Sequence, residues 1–261
     1  MIKLAAGGSA IRAMFEEGKR LADEFGPENV FDFSIGNPYF APPDAVKDAI
    51  VDIITNDDPM TVHGYPANAG FPAVRKAVAD SLNRRFGTDY NENNIIMTVG
   101  AAGGLNVILR VLCNPGDEVI VCANAYIACV MGITINGASP VFVEPDEYDN
   151  IDAGRIEAAV TPQTKAILAV HLFGQTCDMD EIGRIVQKYG LRLVEDCAQS
   201  HGTLFHGKQS GTFGDIGCFS FYPTKGLGAF GDGGAIVTDD EELAGRCRAL
   251  RNYGSRVKYH N

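Results

Sequence analysis

Arg192-Leu193-Val194-Glu195 is a short apolar run that ends on Asp196-Cys197-Ala198-Gln199, a carboxylate followed by small and polar residues. Runs of the same length recur at 95–99, 118–121, 140–143, 166–170, 217–221 and 234–238, with helical stretches between them. Short apolar runs separated by helices predict an α/β fold, a mostly parallel seven-stranded sheet covered on both faces. Sheets of this kind bind ligands beyond the carboxyl ends of their strands. Asp196 falls at such an end, Gly100-Ala101-Ala102-Gly103-Gly104 at another and Ser220 near a third, so polar groups from distant stretches converge on one rim.

The bulk composition narrows the function classes. A chain of 261 residues, 46% of them hydrophobic, forms one large domain or two small ones with ample core. Acidic residues outnumber basic ones 33 to 22, for a formal charge of -11, and no Lys/Arg run offers the footprint of a nucleic-acid partner. The apolar stretch in residues 1–13 is too short for a signal peptide, Glu16 and Glu17 follow it, and no later run reaches membrane-spanning length. A cytoplasmic location is the expectation. The 7 cysteines show no Cys-x-x-Cys pair and no ligand spacing with the 5 histidines, which predicts buried thiols, with neither a metal site nor a disulfide framework.

Upstream of the first strand, residues 11–25 have helical periodicity and Gly26-Pro27 stops it. Residues 31–35 read as a short extended run, and 45–54 and 71–86 as amphipathic helices, the latter with Arg75, Lys76, Asp80, Arg84 and Arg85 solvated on one side.

Ser220-Phe221-Tyr222-Pro223-Thr224-Lys225 runs into a glycine-rich turn. With Asp196 it supplies the three protein groups that pyridoxal 5'-phosphate demands: a lysine to form a Schiff base, a hydroxyl for the phosphate and a carboxylate for the pyridinium nitrogen. A lysine is ordinarily a solvated surface group, but the apolar, glycine-rich setting of Lys225 gives a charge little other reason to be there. Asp196 could instead cap a helix. Gly100 to Gly104 follows a strand and opens a helical run at 105–112, so the N–H groups of Ala101 and Ala102 can face a phosphate, although any tight strand-to-helix turn has this form. Gly226-Leu227-Gly228-Ala229-Phe230-Gly231 fits the Gly-x-Gly-x-x-Gly pattern of nicotinamide-dependent oxidoreductases. That fingerprint should follow a strand and open a helix, whereas here it precedes a strand. His171, His201 and His206 lie near the rim without the spacing of a metal site and read as satisfied polar residues, with His171 a candidate supporting group.

From about Gly116 to Asn261 these motifs resemble the sugar-nucleotide (DegT-like) aminotransferases, a family of the fold-type-I pyridoxal-phosphate enzymes. The resemblance implies a three-layer α/β/α large domain in which one strand, 234–238, runs antiparallel. It also implies that Ala198 lies close to the cofactor ring, that Gln199 bonds the ring hydroxyl and that Tyr126 stacks on the cofactor. Residues 1 to about 115 resemble the class I amino-acid aminotransferases instead, through Phe33-Ser34-Ile35-Gly36-Asn37-Pro38, His63-Gly64-Tyr65-Pro66 with Gly70, and Met97-Thr98-Val99-Gly100-Ala101-Ala102-Gly103-Gly104-Leu105. In that family the position of Tyr65 reaches the phosphate of the neighbouring subunit, which implies a homodimer. The chain thus reads as a mosaic, natural or engineered, with an amino-terminal helical segment at 1–94 and a cofactor-binding domain at 95–261. It stops at Tyr259-His260-Asn261, where both families continue into a small carboxyl-terminal domain.

The resemblance implies transfer of an amino group from L-glutamate to a nucleotide-linked keto-deoxysugar, with Lys225 and Asp196 as the catalytic pair. Gly100, Ala101, Ala102, Tyr126, Ala198, Gln199, Ser220 and Tyr65 complete the expected cofactor site. An amino-acid to keto-acid transaminase and an inert scaffold of the same fold remain alternatives.

Overall fold

The computed structural model describes residues 10–34 and 40–255. Ile35-Gly36-Asn37-Pro38 and the final Tyr259-His260-Asn261 lie outside the described residues. The chain divides into two compact units, Met1–Ala49 and Ile50–Asn261.

In the first unit, helix α1 (Ala10–Phe25) carries Arg20 between Glu17 and Glu24, at 2.7 and 2.6 Å. Gly26, at φ +88°, ends it. Phe31–Phe33, expected to be extended, forms no strand. Helix α2 (Asp44–Asn56) leads out of this unit.

The second unit holds the sheet. Helices α3 (Pro59–His63) and α4 (Pro72–Phe86) precede β1 (Ile95–Thr98) and α5 (Gly100–Leu112). The chain continues through β2 (Glu118–Cys122), α6 (Ile127–Ile135), β3 (Ser139–Val143), α7 (Ala153–Ile156) and β4 (Thr164–Val170). Then come α8 (Met179–Tyr189), β5 (Arg192–Asp196), the small β6 (Leu204–Phe205) and β7 (Lys208–Gln209) ribbon, β8 (Ile216–Ser220), β9 (Gly234–Val237) and α9 (Glu241–Arg251).

Seven strands form one sheet in the order β1-β9-β8-β5-β4-β2-β3. Only β9 is antiparallel to its neighbours in that sheet, as expected. The apolar runs form strands whose side chains alternate between two faces, both buried in the central strands, while the edge strand β3 leaves Phe142 exposed. Val119, Val121, Leu168, Val194, Cys218 and Ile236 join one core with Leu105, Ile133 and Leu243 from α5, α6 and α9. Ile120, Ile167 and Leu193 point the other way, onto Ile182 and Ile185 of α8. A third cluster packs Ala79 of α4 on Ile95, Phe219 and Val237. Each fully buried Leu or Ile in these layers contributes on the order of 1.5–3 kcal/mol.

Arg75 departs from the expected solvated face. It is 7% exposed and donates to the Glu92 carbonyl at 2.6 Å, because helix periodicity turns position 75 inward beside Ala79. Its neighbours Lys76, Arg84 and Arg85 are exposed as expected. All 7 cysteines are buried and free.

Candidate active site

Register alone assembles the rim. Val170 pairs with Asp196 and Asp196 with Cys218, so β4 and β5 end level while β8 continues past them to Ser220. Gly234 is opposite both Ser220 and Thr98, which sets the ends of β8 and β1 on either side of the start of β9. Alternation then puts Asp196 on the face of Cys218 and Ser220, and Glu195 on the other.

Asp196 is 5% exposed. Its Oδ1 accepts from the Ala198 N–H at 2.9 Å and its Oδ2 from the Cys129 thiol at 3.2 Å. Burial holds its carboxyl above the usual range; the Ala198 N–H, the Cys129 thiol, His171 and the positive Lys225 all pull it back down. Lys225 is half-buried, and its N–H bonds the Tyr222 carbonyl at 2.9 Å. The sequence places both residues at the rim, and the structure brings them within electrostatic reach of each other.

Gly100 opens α5 with φ +68°, a left-handed turn that glycine makes at least cost. Gly103 N–H already returns to the Val99 carbonyl, whereas the N–H groups of Gly100, Ala101 and Ala102 precede the first intrahelical bond and point out of the helix start. Gly234 permits this turn to sit against the sheet: a Cβ there would lie 2.6 Å from the Gly100 carbonyl carbon and 2.7 Å from the Phe219 oxygen. Ser220, 5% exposed, faces the same corner, its Oγ accepting from Tyr222 N–H at 3.3 Å. Three donors at a helix start beside a hydroxyl form an anion cradle.

Tyr126 caps α6 and is 70% exposed, so its ring is free to cover a ligand. Gln199 is exposed, and its Oε1 accepts from Phe173 N–H at 2.7 Å, which leaves its amide N–H groups as donors. Phe173 reaches that position through a left-handed φ of 54°. Tyr65 stands fully exposed between α3 and α4, where a single chain gives it no ligand. The glycines after Lys225 form turns ahead of β9 and open no helix, and Gly228 packs against the Pro223 carbonyl, where a Cβ would come to 2.5 Å.

Sequence reasoning missed the contact of Cys129, the unsatisfied ring of His201 and the Glu195 partner of His171, while His171 itself is satisfied, as expected. Cysteine spacing predicts only a buried thiol at Cys129, although its place three residues after Tyr126 puts it on the first turn of α6. His201 is not a satisfied polar residue. Both its ring nitrogens are buried without a well-formed hydrogen bond, against Phe219 and Phe221 at ring separations of 5.6 and 6.0 Å; burial lowers its pKa, the Ser220 backbone opposes this and nearby Lys225 adds to it. His171 and Glu195 form a fully buried pair. His171 Nδ1 accepts from Cys177 N–H at 3.1 Å, so Nε2 carries the proton and donates to Glu195 Oε2 at 3.0 Å. Glu195 also accepts from Gly211, Phe213 and Gly214 N–H at 2.6, 2.7 and 2.7 Å. With Cys197, these residues have ligand-type atoms within 4.8 Å of one another. Their donors and lone pairs are spent on each other and on the backbone, and burial keeps the Cys197 thiol protonated. No helix among the described residues is long and apolar enough to cross a membrane.

The geometry can be set against known proteins. The chain is 50% identical over 184 residues to dTDP-3-amino-3,6-dideoxy-alpha-D-galactopyranose transaminase of Aneurinibacillus thermoaerophilus, covering 70% of this chain and 51% of the relative. It therefore spans about half the length of the curated relatives it matches. A crystal structure of an aminotransferase from Eubacterium rectale superposes with a TM-score of 0.81 at 28% identity, over 97% of this chain and 70% of that one. Bacillus subtilis NtdA with bound cofactor PMP matches with a TM-score of 0.71 at 31% identity, over 87% of this chain and 51% of that one. The family match itself covers residues 76–261, beginning well inside the stretch that reads as class I-like. By that match the chain belongs to the DegT/DnrJ/EryC1/StrS aminotransferase family.

Proposed function

We propose that this chain binds pyridoxal 5'-phosphate and serves transamination of a nucleotide-linked keto-deoxysugar, with L-glutamate as amino donor. The observation that carries the reading is the buried Asp196 carboxylate at a rim that also holds a helix start with free N–H groups and Ser220, with the half-buried Lys225 within electrostatic reach. The donor set fits the cofactor: an amine, a desolvated carboxylate, and helix-start N–H groups with a hydroxyl. When bound, the cofactor supplies an electron sink for the carbanion formed at the amino carbon.

Lys225 would hold the cofactor through its amine, and its Nζ would serve as the base that moves a proton. Asp196, deprived of water, stabilises a proton on the pyridine nitrogen far more than an exposed carboxylate would. Gly100, Ala101, Ala102 and Ser220 would bind the phosphate, Ala198 would leave room for the ring, and Gln199 would donate to the ring oxygen. Tyr126 would cover the ring and restrict water.

Relatives described as dTDP-3-amino-sugar transaminases support the sugar acceptor. Residues 95–261 form the cofactor-binding part, and Tyr65 serves the site of a second copy in a homodimer. The amino-terminal part retains a second reading, because its Phe33-Ser34 and His63-Gly64-Tyr65-Pro66 motifs resemble class I amino-acid enzymes. Borohydride reduction of the chain mixed with pyridoxal phosphate, followed by peptide mapping, tests the cofactor. Single-turnover spectra then test the acceptor: recovery of the starting spectrum with a keto-sugar nucleotide supports the proposal, and recovery with oxaloacetate alone supports the class I reading.

A further inference from the structure

We infer that Cys129 is a positioning residue for Asp196, its thiol fixing the outer carboxylate oxygen with a donor weak enough to leave that carboxylate a strong partner for a pyridinium ring. The inference rests on the proposed cofactor. Cys129 is fully buried, and its Sγ lies 3.2 Å from Asp196 Oδ2 while the Ala198 N–H holds Oδ1 at 2.9 Å. Each oxygen thus has one donor and one remaining lone-pair direction. A thiol is a weak donor, whereas a hydroxyl at the same place would make a shorter, charge-assisted bond and draw more charge from the carboxylate.

The thiol cannot become a competing anion. Burial and the adjacent Asp196 charge push its acidity far out of the working range, so the group remains S–H. Its placement is rigid, because Cys129 N–H bonds the Tyr126 carbonyl at 2.8 Å and α6 is pressed on α5, where a Cβ on Gly132 would lie 3.1 Å from Leu109. One helix start therefore carries both the exposed Tyr126 ring and the Asp196 restraint, and it leans on the helix that opens with the anion cradle. Besides Cys129, the charged and titratable groups around Asp196 are His171, Lys225, Cys197 and Cys218.

The test uses the full chain and its Cys129→Ala and Cys129→Ser variants, read by pyridoxal-phosphate affinity and by the 15N resonance of ring-labelled cofactor. Cys129→Ala should bind about fivefold more weakly. Cys129→Ser should recover affinity to within about twofold yet move the ring-nitrogen resonance toward the unprotonated position, because its stronger bond drains Asp196. Wild-type affinity and resonance in Cys129→Ala would overturn the inference, as would Cys129→Ser binding no better than Cys129→Ala. A wild-type chain that binds no cofactor overturns the functional reading first, before any variant is compared. The contact is judged apart from cofactor by the S–H stretching band of the apo chain, assigned through its loss in Cys129→Ala. Asp196→Asn should shift that band, and an unshifted band would overturn the contact.

Discussion

The protonated Nε2 of His171 donates to Glu195 Oε2 at 3.0 Å, and both side chains are wholly buried on the face of β5 opposite Asp196. This pair ties the end of β4 to the 211–214 turn, since Glu195 accepts three backbone N–H groups from that turn. It holds the strand that carries Asp196.

Removing the carboxylate should therefore unfold the chain more readily. Glu195→Ala leaves three N–H groups and an imidazole N–H buried without a partner, at a cost of about 3–5 kcal/mol. The denaturant midpoint of the apo protein reads this loss, and an unchanged midpoint would show that water replaces the carboxylate.

Asp196 carries a stability cost of its own. Burial raises its folded carboxyl pKa above the unfolded value. The native state therefore holds its proton more tightly than the unfolded one, and stability falls as pH rises from the unfolded pKa through the folded one. Asp196→Asn, neutral throughout, should be more stable than wild-type apo protein at neutral pH, and the gap should close on acidification below about pH 4. Paired melting curves across pH check the sign. The same variant should retain pyridoxal phosphate but transaminate at least about a hundredfold more slowly.

Gly234→Ala attacks the cradle without touching its donors. The new Cβ would strike the Gly100 and Phe219 backbones, which cannot yield as a flexible side chain can, so the turn must shift at a cost of about 1–3 kcal/mol. Cofactor affinity should drop about tenfold or more, and isothermal titration with pyridoxal phosphate measures it.

Lys225→Ala should fold as the wild type does, because the side chain is only half-buried and its N–H bond to the Tyr222 carbonyl survives the change. Borohydride should then fix no cofactor to the chain. Label found instead on Lys165 or Lys208 would remove Lys225 from its role.

The strands were legible because seven apolar runs of strand length alternate with helical patterns, and strand register carries Asp196, Ser220 and Gly100 to one rim without further information. Arg75 was not legible. Its charge outweighed its place in the helical period, and its partner, the Glu92 carbonyl, is a backbone group that side-chain patterning does not reveal. The contacts of Cys129 with Asp196 and of His171 with Glu195 escaped for a related reason: each joins residues at least 24 positions apart, a distance no local motif records. Gln199 was read toward a ligand, and the Phe173 N–H that orients its amide depends on a left-handed backbone at a phenylalanine, which residue type disfavours.

The reversed strand governs the order in which the molecule can be completed. Among the described residues β1 has no strand neighbour except β9, so this strand, written early in the chain, stays unpaired until residues 234–237 arrive and pair on both sides, although α5 already packs on β8 through Ala101 and Cys218. During synthesis, the five parallel strands with Asp196 at their rim can close first, among contacts of shorter sequence separation. Strand β1 then joins last, by the longest-range pairing in the sheet, Ile95 with Val237. A nascent chain halted before Gly234 would possess both Asp196 and Lys225 and could lay α5 on β8, yet β1, the strand that feeds the Gly100 turn, would have no edge on which to pair.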